Sequence, residues 1–438
     1  MLLWIINGLL TILGLLFAKY PRNYGILHPK KLFVYFFLIV QVSGFFFARL
    51  IKLIDGNYKV SDDVLLTISL ITFYSFTIFV VSYYIWKKII PLNIIKFPKL
   101  YVGFFRKLYS VFFLLGSIGI LIYYLKNGFV LFKEGGYENK NIANIGLGYA
   151  RLMYSIGFSY FILSYLLFSF NKKRLRRTLY VSLFLGVLIF VIIGGGRAAS
   201  LGLFIECIII GLYYKYFSKR KLITLGIILF VIIITLTIVR YKLNLSSETM
   251  VLLLYQLQGS FSPIDSFAII YKHFSFNENF VPNIAFNSFL TLIPRFIWTD
   301  KPIEINVPSV YFTREILNYP SFLTISPTLL GELYMYGGIL SITVGMFLIA
   351  LIVRIFVLIY IKSFVIPSAR VFFILNALIY FSLFREGLSI FVRDIFLKII
   401  VFISIIFAIE IISSISIKKF RGNYNENIND FKYVSVKK

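Results

Sequence analysis

At 438 residues, with 59% hydrophobic, 19% aromatic and 14% charged side chains, the chain carries more apolar surface than one water-facing core can bury, which excludes a soluble globular protein. A formal charge of +27 would suit nucleic acid, but no basic folded domain and no motif interleaving aromatic and basic residues accompanies it, so nucleic-acid binding is excluded too. The single cysteine, Cys207, excludes a disulfide framework, and one cysteine with two histidines excludes soft-metal ligation.

Apolar stretches of about 20 residues, the length that crosses a hydrocarbon layer roughly 30 Å thick, recur along the chain between short basic clusters. Eleven are predicted, at 2–18, 32–50, 64–86, 108–125, 151–170, 178–193, 198–217, 222–239, 327–353, 371–384 and 395–417. The stretch at 371–384 is the shortest and also reads as a tilted or re-entrant segment. The first lacks a basic flank and a small-residue cleavage pattern, so it is expected to be retained. The expected organisation is an all-α membrane protein: helices over 1–239, one large hydrophilic loop over 240–326, helices over 327–417 and a polar tail over 418–438.

Orientation follows from the charge. Alternate loops, taken with the tail, collect 28 of the 45 basic residues but only Glu426 and Asp430 of the 18 acids, so that side is expected to be cytoplasmic, with the N-terminus outside and the C-terminus inside. The 240–326 loop then lies outside. Its six basic residues (Arg240, Lys242, Lys272, Arg295, Lys301, Arg314) balance six acids, and its aromatics and repeated prolines suit a folded cap better than a linker. Within it, "SPIDSFAIIYKHF" predicts a short amphipathic helix on the outer leaflet, with Ser262 as N-cap, Pro263 in the first turn and Asp265 completing the cap. The prolines at 294, 302, 308 and 320 argue against regular structure beyond that helix.

Unusual residues gather on the same face. "GGGRAAS" sets Arg197 after three glycines at a turn between two helices, and "FREGLSIFVRD" sets Arg385 and Glu386, then Arg393 and Asp394, at the ends of the last two. A snorkelling anchor is the plain alternative for Arg197, and mutual ion pairing for the other two arginines. Two carboxylates enter the membrane near this face, Glu332 in the first two turns of the ninth helix and Glu206 deeper in the seventh. Each needs a partner or a purpose in a bilayer. The outer acids are too dispersed for a hard-metal site, and no catalytic Ser-His-Asp order or phosphate loop is present. What remains is anion recognition by guanidinium groups, with a lipid pyrophosphate as the anion such a rim would meet.

"PRFIWTDKP" followed by "ISPTLLGELYMYGGILS", with "GGGRAAS" upstream, resembles the Wzy-type O-antigen and capsule repeat-unit polymerases, and the helix pattern is similar along nearly the whole chain. The resemblance implies a GT-C-like membrane glycosyltransferase acting without a cofactor or nucleotide sugar. Its substrates would be undecaprenyl-pyrophosphate-linked oligosaccharides, and a chain-length regulator would be a partner. On that reading Arg197 and Arg295 stabilise the departing pyrophosphate. Arg240, Lys301, Arg385, Arg393 and Asp394 hold substrate, and Glu332 serves as base toward the acceptor hydroxyl. Two rivals stay open: a glycan ligase of the same fold, for which His273 is the one candidate histidine in the loop, and a flippase or transporter, against which the lack of an internal repeat counts.

Overall fold

The computed structural model describes residues 2–19, 25–55, 58, 60–91, 94–133, 143, 146–241, 247–276, 279–293, 297–302, 305–319 and 324–420; within helices, the side chains of 197–199, 219, 240–241, 247–250, 276 and 413–420 are not described. Among the described residues there are helices and connecting turns but no strand. Of these described residues, ten helical stretches are long and apolar enough to cross a membrane: Leu2–Lys19, Pro29–Ile54, Asp62–Ile89, Tyr109–Phe132, Gly148–Leu167, Lys172–Ile192, Arg220–Val239, Leu329–Ser363, Pro367–Glu386 and Leu388–Ile412. The seventh expected stretch, 198–217, corresponds to an apolar helix of 17 residues over Arg197–Tyr213. It is cut short because Lys215 adopts a left-handed φ of 53°, which lets the Tyr216 amide close back on the Gly211 carbonyl.

The helices used below are α1 (Leu2–Lys19), α2 (Pro29–Phe37), α3 (Ser43–Ile54), α4 (Asp62–Ile89), α5 (Val102–Lys107), α6 (Tyr109–Asn127), α7 (Gly148–Ile162), α8 (Lys172–Ile192), α9 (Arg197–Tyr213), α10 (Lys219–Tyr241), α11 (Ser247–Phe261), α12 (Ile264–Phe276), α13 (Ile284–Leu290), α14 (Pro308–Tyr311), α15 (Leu329–Ser363), α16 (Pro367–Asn376), α17 (Ile379–Glu386) and α18 (Leu388–Phe420). In a bilayer, where lipid is as apolar as leucine, close packing and inter-helix hydrogen bonds hold helices together. The phenylalanines supply one such core: Phe33 of α2 stacks on Phe79 of α4 at 3.8 Å and meets Phe384 of α17 edge-on at 4.8 Å. Small residues supply another. A Cβ on Gly119 of α6 would stand 2.6 Å from the Tyr154 amide and 2.8 Å from the Ala150 carbonyl of α7, so these two backbones meet where only glycine fits. Polar ties join α4 to α15, with the Trp86 indole donating to the Phe347 carbonyl at 3.0 Å.

Three expected features take a different form. The helix read from "SPIDSFAIIYKHF" does not lie on a leaflet: Ile264, Phe267, Ile270 and Phe274 of α12 are all buried, because the helix packs into the bundle against α3 and α15. Nor does Ser262 cap it. A π-helical turn at Leu38–Val42 leaves the Val40 carbonyl outside the regular α pattern, and the Ser262 hydroxyl donates to it across the Gly44 surface. Beyond α12 the prolines do not abolish regular structure, since Pro308 occupies the first turn of α14, where a missing N–H costs nothing.

Two long spans are broken. In α15, Gly338 has φ 60° and, with Gly337, separates a buried two-turn segment at Leu329–Tyr336 from the long helix that follows, against which Leu333 folds back at Gly345. The stretch predicted at 371–384 is the pair α16 and α17, interrupted at 377–378. The chain after α4 is stitched to α15 and to the start of α16 through carbonyls of Ile90, Ile95 and Pro98. Arg354 donates to the Ile90 carbonyl at 2.9 Å, Lys362 to that of Ile95, and Ser368 to that of Pro98 at 2.6 Å. Elsewhere the loop before α4 is tied to the loop helices: Tyr58 and Gln258 both donate to Asp265, and burial pushes the Asp265 carboxyl and the Tyr58 phenol up from their usual ranges.

Candidate functional site

The glycines before Arg197 have a conformational cause of their own. Gly194 and Gly195 take left-handed φ values of 71° and 85°, and the Gly195 amide closes on the Phe190 carbonyl at 2.8 Å, turning the chain from α8 into α9 without an intervening loop. Gly186 then lets the two helices run side by side, because a Cβ there would collide with the Ser200 carbonyl oxygen. Arg197 is the first residue of α9, at the mouth of this tight hairpin. Its side chain is outside the description, as is that of Arg240 near the end of α10, and Arg295 lies wholly outside the described residues.

Glu332 is fully buried, on the short segment that precedes the break in α15. Tyr336 donates to one carboxylate oxygen, and the Ser389 amide reaches the same oxygen at 2.9 Å while the Ser389 hydroxyl reaches the other at 3.2 Å. The carboxylate therefore sits on the first turn of α18, where unpaired amides and the helix dipole attract an anion. Gly387, with φ 104°, makes room for it, since a Cβ at that position would overlap Glu332 Oε2.

The other described candidates are engaged in different settings. Lys301 donates to the carbonyls of Thr291 at 2.9 Å and Ile293 at 2.7 Å, just after the C-terminal end of α13. Arg385 pairs with Glu386 and donates to the carbonyls of Ser260 at 2.6 Å and Gly259 at 3.4 Å, so it fastens the end of α11 to the end of α17. Arg393 grips its neighbour Asp394 through two nitrogens at 3.2 and 3.1 Å, and both side chains are partly exposed.

Asp394 also belongs to a cavity of about 210 Å³ between α7, α16 and α18, whose polar lining is Ser155, Ser159, Tyr160, Asp394 and Lys398. Lys398 stands one turn below Asp394 and donates to the Leu375 carbonyl at 2.9 Å. It is ten residues into α18, about 15 Å from the helix start at 1.5 Å per residue. Glu206 of α9 lies behind this wall, bonded to Ser159 and within the field of Lys398. Its Oε1 and the buried Tyr160 hydroxyl have no hydrogen-bond partner among the described residues. Charges of both signs and the Ser155, Ser159 and Tyr160 hydroxyls thus line one polar slot in an otherwise apolar bundle. Sequence reasoning singled out Asp394 and Glu206 but missed Lys398, Ser159 and Tyr160. The signal for Lys398 was present, as a lysine four residues after an aspartate inside an apolar helix.

The model of one protein family, described as WzyE protein, O-antigen assembly polymerase, matches residues 1–418, almost the full length including every span described above. The chain belongs to the WzyE family of O-antigen assembly polymerases. Membership agrees with the resemblance drawn from "PRFIWTDKP" and "GGGRAAS", and it identifies a multi-pass membrane protein of polysaccharide biosynthesis. No solved structure matches the chain, so the WzyE assignment rests on sequence and on the helical architecture.

Proposed function

We propose that the protein joins lipid-linked oligosaccharide repeat units at the outer face of the cytoplasmic membrane, moving a growing glycan from undecaprenyl pyrophosphate to a terminal hydroxyl of the next unit. In this reaction the anomeric C–O bond to pyrophosphate breaks, a glycosidic C–O bond forms, and the acceptor hydroxyl gives up its proton. The observation that carries this reading is the polar slot between α7, α16 and α18 bearing Asp394 and Lys398, joined to membership of a polymerase family. Negative charge grows on the leaving pyrophosphate, and Arg197 and Arg295 are the residues we assign to it, as cations whose guanidinium groups suit phosphate oxygens. Arg240 is a further contact for either pyrophosphate. Lys301 and Arg385 hold the loop helices that shape this rim, in accord with the carbonyls they already engage.

Glu332 receives a different role from that of a base. Its lone pairs are turned to the first turn of α18, so it positions the helix that carries Arg393, Asp394 and Lys398. Asp394, partly exposed at the slot, is the carboxylate placed to receive an acceptor hydroxyl. The large outer loop, the outside N-terminus and the GT-C-like architecture complete the proposal, supported by the charge asymmetry of the loops.

The test is deletion of the gene followed by gel analysis of the surface glycan. The expected outcome is loss of the polymer ladder with a single repeat unit still attached; accumulation of lipid-linked polymer would instead make the protein a ligase. Complementation with Arg295→Lys should restore less than about a tenth of the polymer at normal protein level, because lysine keeps the charge but loses the planar fork, a change of roughly 1.4 kcal/mol or more in transition-state stabilisation. If Arg295→Lys makes normal polymer while Arg197→Lys does not, the pyrophosphate contact belongs to the α8–α9 hairpin alone.

A further inference from the structure

A second cavity, of about 310 Å³, lies at the opposite end of α8 from the glycine hairpin, between the first turns of α8, the turn after α9 and the start of α10. Its lining carries Lys172, Arg176 and Lys221 and no carboxylate. All three cations are exposed, and Lys221 rides over the Tyr216 ring at 5.2 Å. The floor is apolar, made in part by Leu179 and Leu225. Helix α10 gives the cavity its side door. Only 6% of the hydrophobic window of Arg220–Val239 is buried in the protein, so this helix stands outside the bundle and lipid can occupy the gap that separates it from α8.

We propose that this cavity is a binding site for one anionic phospholipid, with its phosphate between Lys172, Arg176 and Lys221 and an acyl chain against Leu179 and Leu225 between α8 and α10. Three cations lining one cavity with no carboxylate among them repel one another, which an anion relieves, and a guanidinium with two ammonium groups suits the oxygens of a phosphodiester. A soluble phosphate would satisfy the cations but leave the leucine floor and the open flank of α10 unexplained, which favours a phosphate that brings its own hydrocarbon. The charge asymmetry of the loops assigns this end to the cytoplasmic leaflet, where anionic lipid is the natural counterion. The site is independent of the transfer chemistry proposed above.

Native mass spectrometry of the full-length protein, titrated with phosphatidylglycerol, phosphatidylcholine or sodium phosphate, tests the proposal. Phosphatidylglycerol should bind about tenfold or more tightly than phosphatidylcholine. The triple variant Lys172→Gln/Arg176→Gln/Lys221→Gln should lose that preference. A control of equal charge change at exposed positions elsewhere, Lys87→Gln/Lys88→Gln/Arg106→Gln, should keep it. Equal loss in both triples would reduce the effect to net charge and overturn the site. Sodium phosphate binding to wild type as well as phosphatidylglycerol does would replace the lipid with a free anion. On the unmodified protein, a photoactivatable phosphatidylglycerol should cross-link to peptides containing 175–179 and 221–225. Cross-links confined to other helices would overturn the proposal whether or not the triple variant folds.

Discussion

Replacing Gly387 with alanine would impose φ 104° on a residue with a Cβ and drive that carbon into Glu332 Oε2. The left-handed backbone alone costs roughly 1–2 kcal/mol, and the overlap adds to it. The thermal midpoint of the purified protein should therefore fall in Gly387→Ala. The double variant Gly387→Ala/Glu332→Ala should lose less than the sum of the two single changes, because the carboxylate that the methyl strikes is gone; strict additivity would separate the glycine from the cap. A second residue-scale prediction concerns His28. It is buried beside Tyr360, and burial, reinforced by Lys31 and Lys30, lowers its pKa from 6.5 to about 3. A depressed folded-state value favours the neutral ring, so stability is full above about pH 6.5 and declines as pH falls from there toward 3. The thermal midpoint should drop more between pH 7.5 and 5 in wild type than in His28→Phe, and identical slopes would remove His28 as the cause. Glu332 itself was legible in the sequence as an intramembrane carboxylate needing a partner. The partner was not, because Ser389 lies 57 positions further along the chain and is brought close only by the folding back of α15 and α18.

At the level of elements, the spans were legible because apolar runs of membrane length have few other uses: ten of the eleven predicted stretches coincide with span-length helical stretches among the described residues, and 198–217 with the shorter α9. Their interruptions were not. Hydropathy is blind to the break at Gly337 and Gly338, since Leu329–Ser363 reads as one continuous apolar stretch, and to the π turn at Leu38–Val42, which only the Ser262 hydroxyl rationalises. The α6–α7 seam shows which glycines matter. A Cβ on Gly157 would overlap the Gly116 backbone, whereas one on Gly148 meets nothing within 4 Å. Gly157→Leu should force the helices apart at a cost of about 1–3 kcal/mol, seen as a lower thermal midpoint and less protein in the membrane, while Gly148→Leu leaves both unchanged. Equal behaviour of the two variants would mean that the seam does not hold the pair together.

For the whole molecule, the testable quantity is orientation, and the fold dictates where to probe it. Ser262 is fully buried and Ser309 is 8% exposed, so neither suits a labelling cysteine although both lie in the large loop. Ser275 on α12 and Ser218 before α10 are exposed. In a Cys207→Ser background, Ser275→Cys should react with an impermeant thiol reagent on intact cells and Ser218→Cys only after permeabilisation. Labelling of position 218 in intact cells would reverse the orientation. Of the candidate site, the residue types were legible and the assembly was not: the sequence exposes arginines and acids at helix ends, but only the packing of α7, α16 and α18 gathers Asp394, Lys398 and Ser159 around one slot.

The stitches between the 90–98 segment and α15 give some of those charges two successive lives. On the proposed orientation, Arg354 and Lys362 belong to the basic excess that orients the chain during insertion, when each is a hydrated cation held back from crossing. Once the helices assemble, the same two groups donate to the Ile90 and Ile95 carbonyls, and Arg354 retains only 7% of its exposure. On that orientation, topology is written first and then sealed by its own ink: a helix that had inserted upside down would arrive with the staples on the wrong side and nothing for them to grasp.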